Sequence, residues 1–272
     1  MKSRAAGVLT IERRGGEFLE RERSILESVA SQLSVALENA RLYQQIDRLF
    51  RQYLSPDVAT ALLADPDQAA LGGAVVEVTV LFADLRGFTP FSERSSPEQV
   101  VTMLNRYFGA VVPIVIGEGG TVAQFVGDAI MALFNAPVRQ PDHALRAARA
   151  ALGMQSAVDA IAAGQPDWPR FRIGLNTGPA LVGNIGSEQM RNFTAIGDTT
   201  NLAARLQTSA QSGEIVIGAG TYALISDVAI VRPLAPLQVK GKEAPVQAYV
   251  LSGLRVDAAR PTGQRDAAGS PR

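Results

Sequence analysis

The sequence predicts an α+β protein with a ferredoxin-like βαββαβ core, preceded by one long helix. Three observations predict it. From Val75 onward, apolar runs of strand length alternate with helical stretches in the order strand, helix, strand, strand, helix, strand. Thr121–Val126 and Ala129–Phe134 are apolar runs separated only by Gly127-Asp128, a hairpin signal. Upstream, apolar residues recur at heptad spacing between about Leu19 and Leu63.

The chain has 272 residues, room for one or two domains and a sizeable core. It is 47% hydrophobic and 19% charged, which fits a globular chain and not a disordered one. Lys+Arg and Asp+Glu are 26 each, so the formal charge is zero. That disfavours nucleic-acid binding and a polybasic membrane surface. Cys is absent and His143 is the single His. Disulfides, thiolate zinc sites, iron–sulfur clusters, a thiol nucleophile and a multi-His site within one chain are thereby excluded. Any metal is expected on oxygen ligands, which points to magnesium, manganese or calcium. No apolar run approaches the roughly 18 residues of a membrane span, and no secretory signal opens the chain. The expected location is cytoplasmic.

Gly7–Ile11 reads as a strand and Arg14-Gly15-Gly16 as a turn. A lone strand cannot fold by itself, so residues 1–18 are expected to be the tail of an upstream domain. Residues 19–64 follow as a helix. One apolar series is Leu26, Leu33, Ala40 and Leu54, with Asp47 as the exception; the other is Val29, Ala36, Tyr43 and Phe50. Such series suit a parallel coiled coil, or one amphipathic helix lying on its own domain. Ser55-Pro56 marks a helix restart, with Ser55 as N-cap. Residues 65–74 form a connector. Val75–Ala83 is a strand, Pro97–Ile116 a helix capped by Ser96, and Gly119-Gly120 a turn. Asp142–Ile161 is an Ala-rich helix. Phe171–Val182 contains a strand, and 183–186 reads as a loop. Thr199–Ala210 is a helix, followed by Glu214–Ile217 and further short strands. Residues 253–272, rich in Arg, Ala, Gly and Pro, read as a disordered tail. His143 reads as structural and Trp168 as a loop anchor.

Asp84 ends the apolar run Val78–Ala83, where a carboxylate is costly unless solvated, paired or metal-bound. Asp128 sits at the hairpin tip. In a ferredoxin-like sheet the first strand and this hairpin are neighbours, so both carboxylates converge on one edge. Without a basic partner they repel, and a divalent cation removes that cost. The same arrangement supports two-metal phosphoryl transfer. Taken singly, each Asp is an ordinary turn residue.

At this point the sequence resembles the class III nucleotidyl cyclases. Phe82-Ala83-Asp84-Leu85-Arg86-Gly87-Phe88-Thr89, the stretch Phe125–Phe134 around Gly127-Asp128, and Phe193–Leu206 around Asn201 and Arg205 look like their motifs. Val239-Lys240-Gly241-Lys242 with Pro245-Val246 resembles their C-terminal strand signature. The resemblance covers about residues 51–252 and places the cyclase domain at 65–252. Gly7–Tyr43 is more weakly similar to the last strand and exit helix of a GAF domain. That would make 1–18 a GAF remnant and 19–64 a signalling helix below an upstream sensor domain.

The resemblance implies an ATP-consuming enzyme that works as a head-to-tail homodimer with shared active sites. Asp84 and Asp128 would hold two Mg2+ or Mn2+ ions, with Leu85 offering only its backbone carbonyl. Asn201 and Arg205 from the partner would orient the ribose and stabilise the transition state; four apart on a helix, they share one face. Lys240 would contact the triphosphate, the loop Leu85 to Phe88 would cradle phosphates with backbone N–H groups, and Gly87, Phe88 and Thr89 would be substrate-binding residues. The ribose 3′-hydroxyl would attack the α-phosphate and expel pyrophosphate, with Asp84 able to assist as base. No protein nucleophile is needed. Gln124 and Thr194 would read the base. Family adenylyl cyclases commonly carry Lys where this chain has Gln124, whereas Thr194 is common in bacterial adenylyl cyclases. Gln both donates and accepts, so it suits either purine. ATP is favoured; a guanylyl or dual-specificity cyclase, and a catalytically weak signalling module, are the alternatives.

Overall fold

The computed structural model describes residues 7–53, 55–64, 70–238 and 245–255. They form two units, one up to Ser55 and the other from Pro56 onward. In the first, α1 (Glu20–Tyr53) is a single helix of 34 residues. Its predicted apolar series is largely exposed: Val29 is 47%, Leu33 43% and Tyr43 73% accessible. Leu54, the last member of that series, lies outside the described residues. Gly7–Ile11 carries no strand. A strand exists only by pairing, and no described segment pairs with this one.

The second unit opens with α2 (Pro56–Ala64), which starts at Pro56 as its sequence predicts. The Ser55 hydroxyl, however, makes no capping bond; its Oγ has no hydrogen-bond partner among the described residues. The central elements then follow: β1 (Gly72–Arg86), α3 (Phe88–Arg94), α4 (Pro97–Gly117), β2 (Thr121–Val126), β3 (Ala129–Phe134), α5 (His143–Ala162) and β4 (Arg170–Gly186). The sheet order β2-β3-β1-β4 with antiparallel pairing is that of a ferredoxin-like core. β5 (Arg191–Ile196), α6 (Asp198–Ser209), β6 (Ile215–Gly218), α7 (Ala219–Ile225), β7 (Ala229–Pro233) and β8 (Ala248–Leu254) extend it. β6 pairs parallel to β4, and β8 and β7 follow it.

The predicted loop at 183–186 is strand instead. β1 and β4 pair along their whole length, from Gly72↔Asn184 to Arg86↔Arg170. Glycine on both strands makes this possible: a Cβ on Gly183 would lie 2.1 Å from the Gly72 carbonyl oxygen.

Alternation along β1 sorts the core into two faces. Leu81, Ala83 and Leu85 point to the face covered by α4 and α5, where Met103, Tyr107, Val111 and Met154 are buried. α4 is 21 residues long and apolar enough, by length and composition, to cross a membrane. Here its inward residues fill this core. A capping box fixes its start: Gln99 N–H donates to Ser96 Oγ at 3.3 Å, and the Gln99 side chain accepts from Ser96 N–H at 2.8 Å. Val78 and Val80 point the other way, with Met131, Leu133 and Ala203. Trp168 packs edge-on to Tyr107, ring centroids 5.4 Å apart, the loop anchor its sequence position suggests.

His143 is buried at the start of α5. Its Nδ1 lies 2.8 Å from Thr79 Oγ1, its Nε2 3.7 Å from Glu77. Burial pushes the imidazole below its usual 6.5, opposed by Glu77 and Asp142. A base with a lowered folded pKa gives stability that is present above 6.5 and lost as pH falls toward the folded value. Wild type should therefore lose stability below pH 6.5, by at most about 1.4 kcal/mol per pH unit from this group. His143→Gln, which keeps a hydrogen-bonding side chain but cannot titrate, should lack that component. Denaturant titrations of both proteins between pH 5 and 7.5 test this, and parallel curves would refute it.

Candidate active site

β1 carries Asp84 two residues before its end, and the antiparallel register sets Arg172 of β4 directly opposite. The guanidinium donates from Nε at 2.9 Å and Nη2 at 2.6 Å to Asp84 Oδ2. Gln207 of α6 donates to the same oxygen at 3.0 Å. Asp84 therefore has a basic partner, which its sequence position did not suggest. Asp128 sits at the β2–β3 turn, where Gly127 takes a left-handed φ of 61°. Its Oδ2 accepts the Leu85 N–H at 3.2 Å. The Leu85 side chain is buried in the core, so only its backbone reaches the site.

The two carboxylates line the same cleft. Burial, and then the charge of Asp84, push the Asp128 carboxyl up to about 6. Below that pH the folded pair holds a proton that a bound cation would displace. Gly87, with φ 88°, turns the chain from β1 into α3. The predicted phosphate loop is thus shorter than expected, since Leu85 and Arg86 still belong to β1. Asp84, Asp128, Arg172, Gly87, Phe88 and Thr89 line one cleft of about 510 Å³. Another cleft, of about 590 Å³ beside Phe91 and Trp168, is lined by neither Asp84 nor Asp128.

The other predicted residues fall into separate groups. Gln124 of β2 lies opposite Met131 of β3, and Thr194 of β5 donates to Met131 Sδ at 3.9 Å. Both predicted base readers thus meet one methionine. Asn201 is exposed and Arg205 half-buried on α6; neither lines the carboxylate cleft. Arg205 and Gln207 are two positions apart, about 200° round the helix, so the face that reaches Asp84 is not the one carrying Asn201 and Arg205. Lys240 lies outside the described residues. Two carboxylates, with no third His, Cys, Asp or Glu gathered beside them among the described residues, leave the rest of any metal shell to backbone carbonyl, water and substrate oxygens.

Residues 73–253 match the model of the adenylate and guanylate cyclase catalytic domain. The chain belongs to that family. Adenylate cyclase 1 of Rhizobium meliloti (strain 1021) is 38% identical over 185 residues, which cover 65% of this chain and 28% of the relative. This cyclase domain is therefore compared with a small part of a much longer protein. The crystal structure of the adenylyl cyclase CyaB from P. aeruginosa superposes with a TM-score of 0.66 at 34% identity, over 70% of this chain and 100% of that one. The guanylyl cyclase Cya2 gives 0.64 at 35% identity, over 69% and 98%. These two structures, one of an adenylyl and one of a guanylyl cyclase, thus resemble the domain about equally.

Proposed function

We propose that the chain is an adenylyl cyclase, converting ATP to 3′,5′-cyclic AMP and pyrophosphate at sites shared between two copies. The convergence of Asp84 and Asp128 in one cleft carries this reading. Family domains bind nucleotide and act as dimers, and they generally use divalent metals. The all-oxygen donor set fits such ions: Asp84, Asp128 and the Leu85 carbonyl would hold two Mg2+ or Mn2+. Bound there, they would acidify the ribose 3′-hydroxyl and neutralise charge on the phosphates.

The chain's own groups do the rest. Arg172, Gly87, Phe88 and Thr89 bind and orient the triphosphate, joined by Lys240. Asp84 is placed to take the proton as the 3′-oxygen bonds to the α-phosphorus and the bond to pyrophosphate breaks. The partner's Asn201 and Arg205 face that centre, one holding the ribose and the other meeting the developing charge. Because Asn201 and Arg205 lie outside the cleft of their own chain, a second copy is required to complete the site. Domain limits follow the same reading: 65–252 is the cyclase domain, and 19–64 a stalk whose exposed apolar series pairs between copies below an upstream sensor.

Gln124 favours one second reading, a guanylyl or dual-specificity cyclase. Its amide can serve adenine N1, an acceptor, or the N1–H of guanine, a donor. The test is turnover of ATP and GTP in parallel with Mn2+. Cyclic AMP should dominate, and Gln124→Lys should raise the ATP:GTP ratio about tenfold, since an ammonium cannot accept from guanine. Predominant cyclic GMP would instead establish the second reading, and no cyclic nucleotide from a purified dimer would refute both.

A further inference from the structure

We infer that Gln207 is a positioning residue that fixes the metal-facing carboxylate of its own chain. The inference rests on the cyclase reading and extends it to a residue outside the cleft. Asp84 Oδ2 accepts three N–H bonds, from Arg172 Nε, Arg172 Nη2 and Gln207 Nε2. All three meet one oxygen, which leaves Oδ1 for the cleft. The two donors are not equivalent. Arg172 lines the cleft, so an arriving polyanion competes with Asp84 for its guanidinium. Gln207 does not line the cleft, is 8% exposed and carries no charge. It can hold the carboxylate orientation without attracting phosphate and without offsetting the charge of a bound cation.

Its backbone is fixed as well. Gly174 of β4 lets α6 come so close that a Cβ there would lie 2.3 Å from Gln207 N. The amide therefore projects from a point pinned to the strand neighbouring Asp84. Groups that orient a ligating carboxylate in this way commonly change metal affinity or activity by about 10- to 100-fold when removed. The competing view is a core amide that merely fills space.

The test uses dimeric wild type and two variants. Gln207→Met keeps volume and helical preference but removes the donor; Gln207→Asn keeps an amide but withdraws it by one methylene. Binding of Mn2+ alone, read from the free-ion electron paramagnetic resonance signal, should weaken about tenfold in both, with little change in thermal midpoint. Mixed dimers locate the effect. With Gln207→Met on the chain that supplies Asp84 (made Arg205→Ala), the Mn2+ requirement for turnover should rise about tenfold. With Gln207→Met on the chain that supplies Arg205 (made Asp84→Ala), it should not rise. Unchanged Mn2+ affinity in both variants, or equal losses in the two placements, would overturn the inference and leave the cyclase reading standing. A wild type that neither binds Mn2+ nor forms cyclic nucleotide would overturn both.

Discussion

Asp84→Ala and Arg205→Ala should each lower cyclic nucleotide formation by about 10³-fold or more when assayed alone. Mixed in equal amounts under conditions of subunit exchange, they should recover about a quarter of the wild-type rate. The expectation follows from the faces of α6. Gln207 reaches Asp84 in the same chain. Asn201 and Arg205 lie on another face of that helix and do not line the cleft beside Asp84. If one chain supplies the carboxylates and the other the arginine, a mixed dimer has one intact site and one doubly defective site. Random pairing makes about half of the dimers mixed, so about a quarter of all sites are whole. Rate measurements across mixing ratios check this. Absence of recovery, with exchange verified by labelled subunits, would mean that each chain holds a complete site.

Gly174→Ala should cost about 3 kcal/mol in stability. The added Cβ would meet the Ala203 carbonyl oxygen and Gln207 N, both at 2.3 Å, and Gln207 Cα at 2.8 Å. All three are backbone atoms, so no side-chain rotation relieves the clash. The helix must lift from β4, carrying Asn201, Arg205 and Gln207 with it. Activity should therefore fall more steeply than the folded fraction. Urea unfolding together with turnover at a temperature where the variant is folded checks both parts. A stability change under about 0.5 kcal/mol would show that α6 has room to shift.

The core of the fold was legible because its signals are local. The β2 and β3 boundaries follow from a glycine turn between two apolar runs, and the start of α4 from Ser96 and Gln99. Gly183–Gly186 suggests a loop in the sequence because glycine usually marks one, whereas here it marks the close crossing of β1 and β4. β5, a short strand that pairs only with β4, gave no clear periodic signal of its own. The carboxylate pair was readable from strand order. Arg172 and Gln207 were not, because each meets Asp84 across more than 80 residues of sequence. Arg172 could have been found only by carrying the β1–β4 register through to position 84; Gln207 depends on helix placement that periodicity does not give. Met131, where Gln124 and Thr194 meet, reads in the sequence as an ordinary core methionine.

His143 touches Thr79, whose hydroxyl lies 2.7 Å from that of Thr177, which lies 2.9 Å from that of Thr221. Each hydroxyl has one proton to give, so the direction of giving is shared along the row. A neutral ring accepting at Nδ1 makes Thr79 donate to it, Thr177 donate to Thr79 and Thr221 donate to Thr177; a ring protonated at Nδ1 reverses all three. The position of one proton thus orients dipoles from α5 across β1 and β4 to α7. As the chain has a single histidine, the nitrogen-15 resonances of one imidazole would report the polarity of that entire row in the working enzyme.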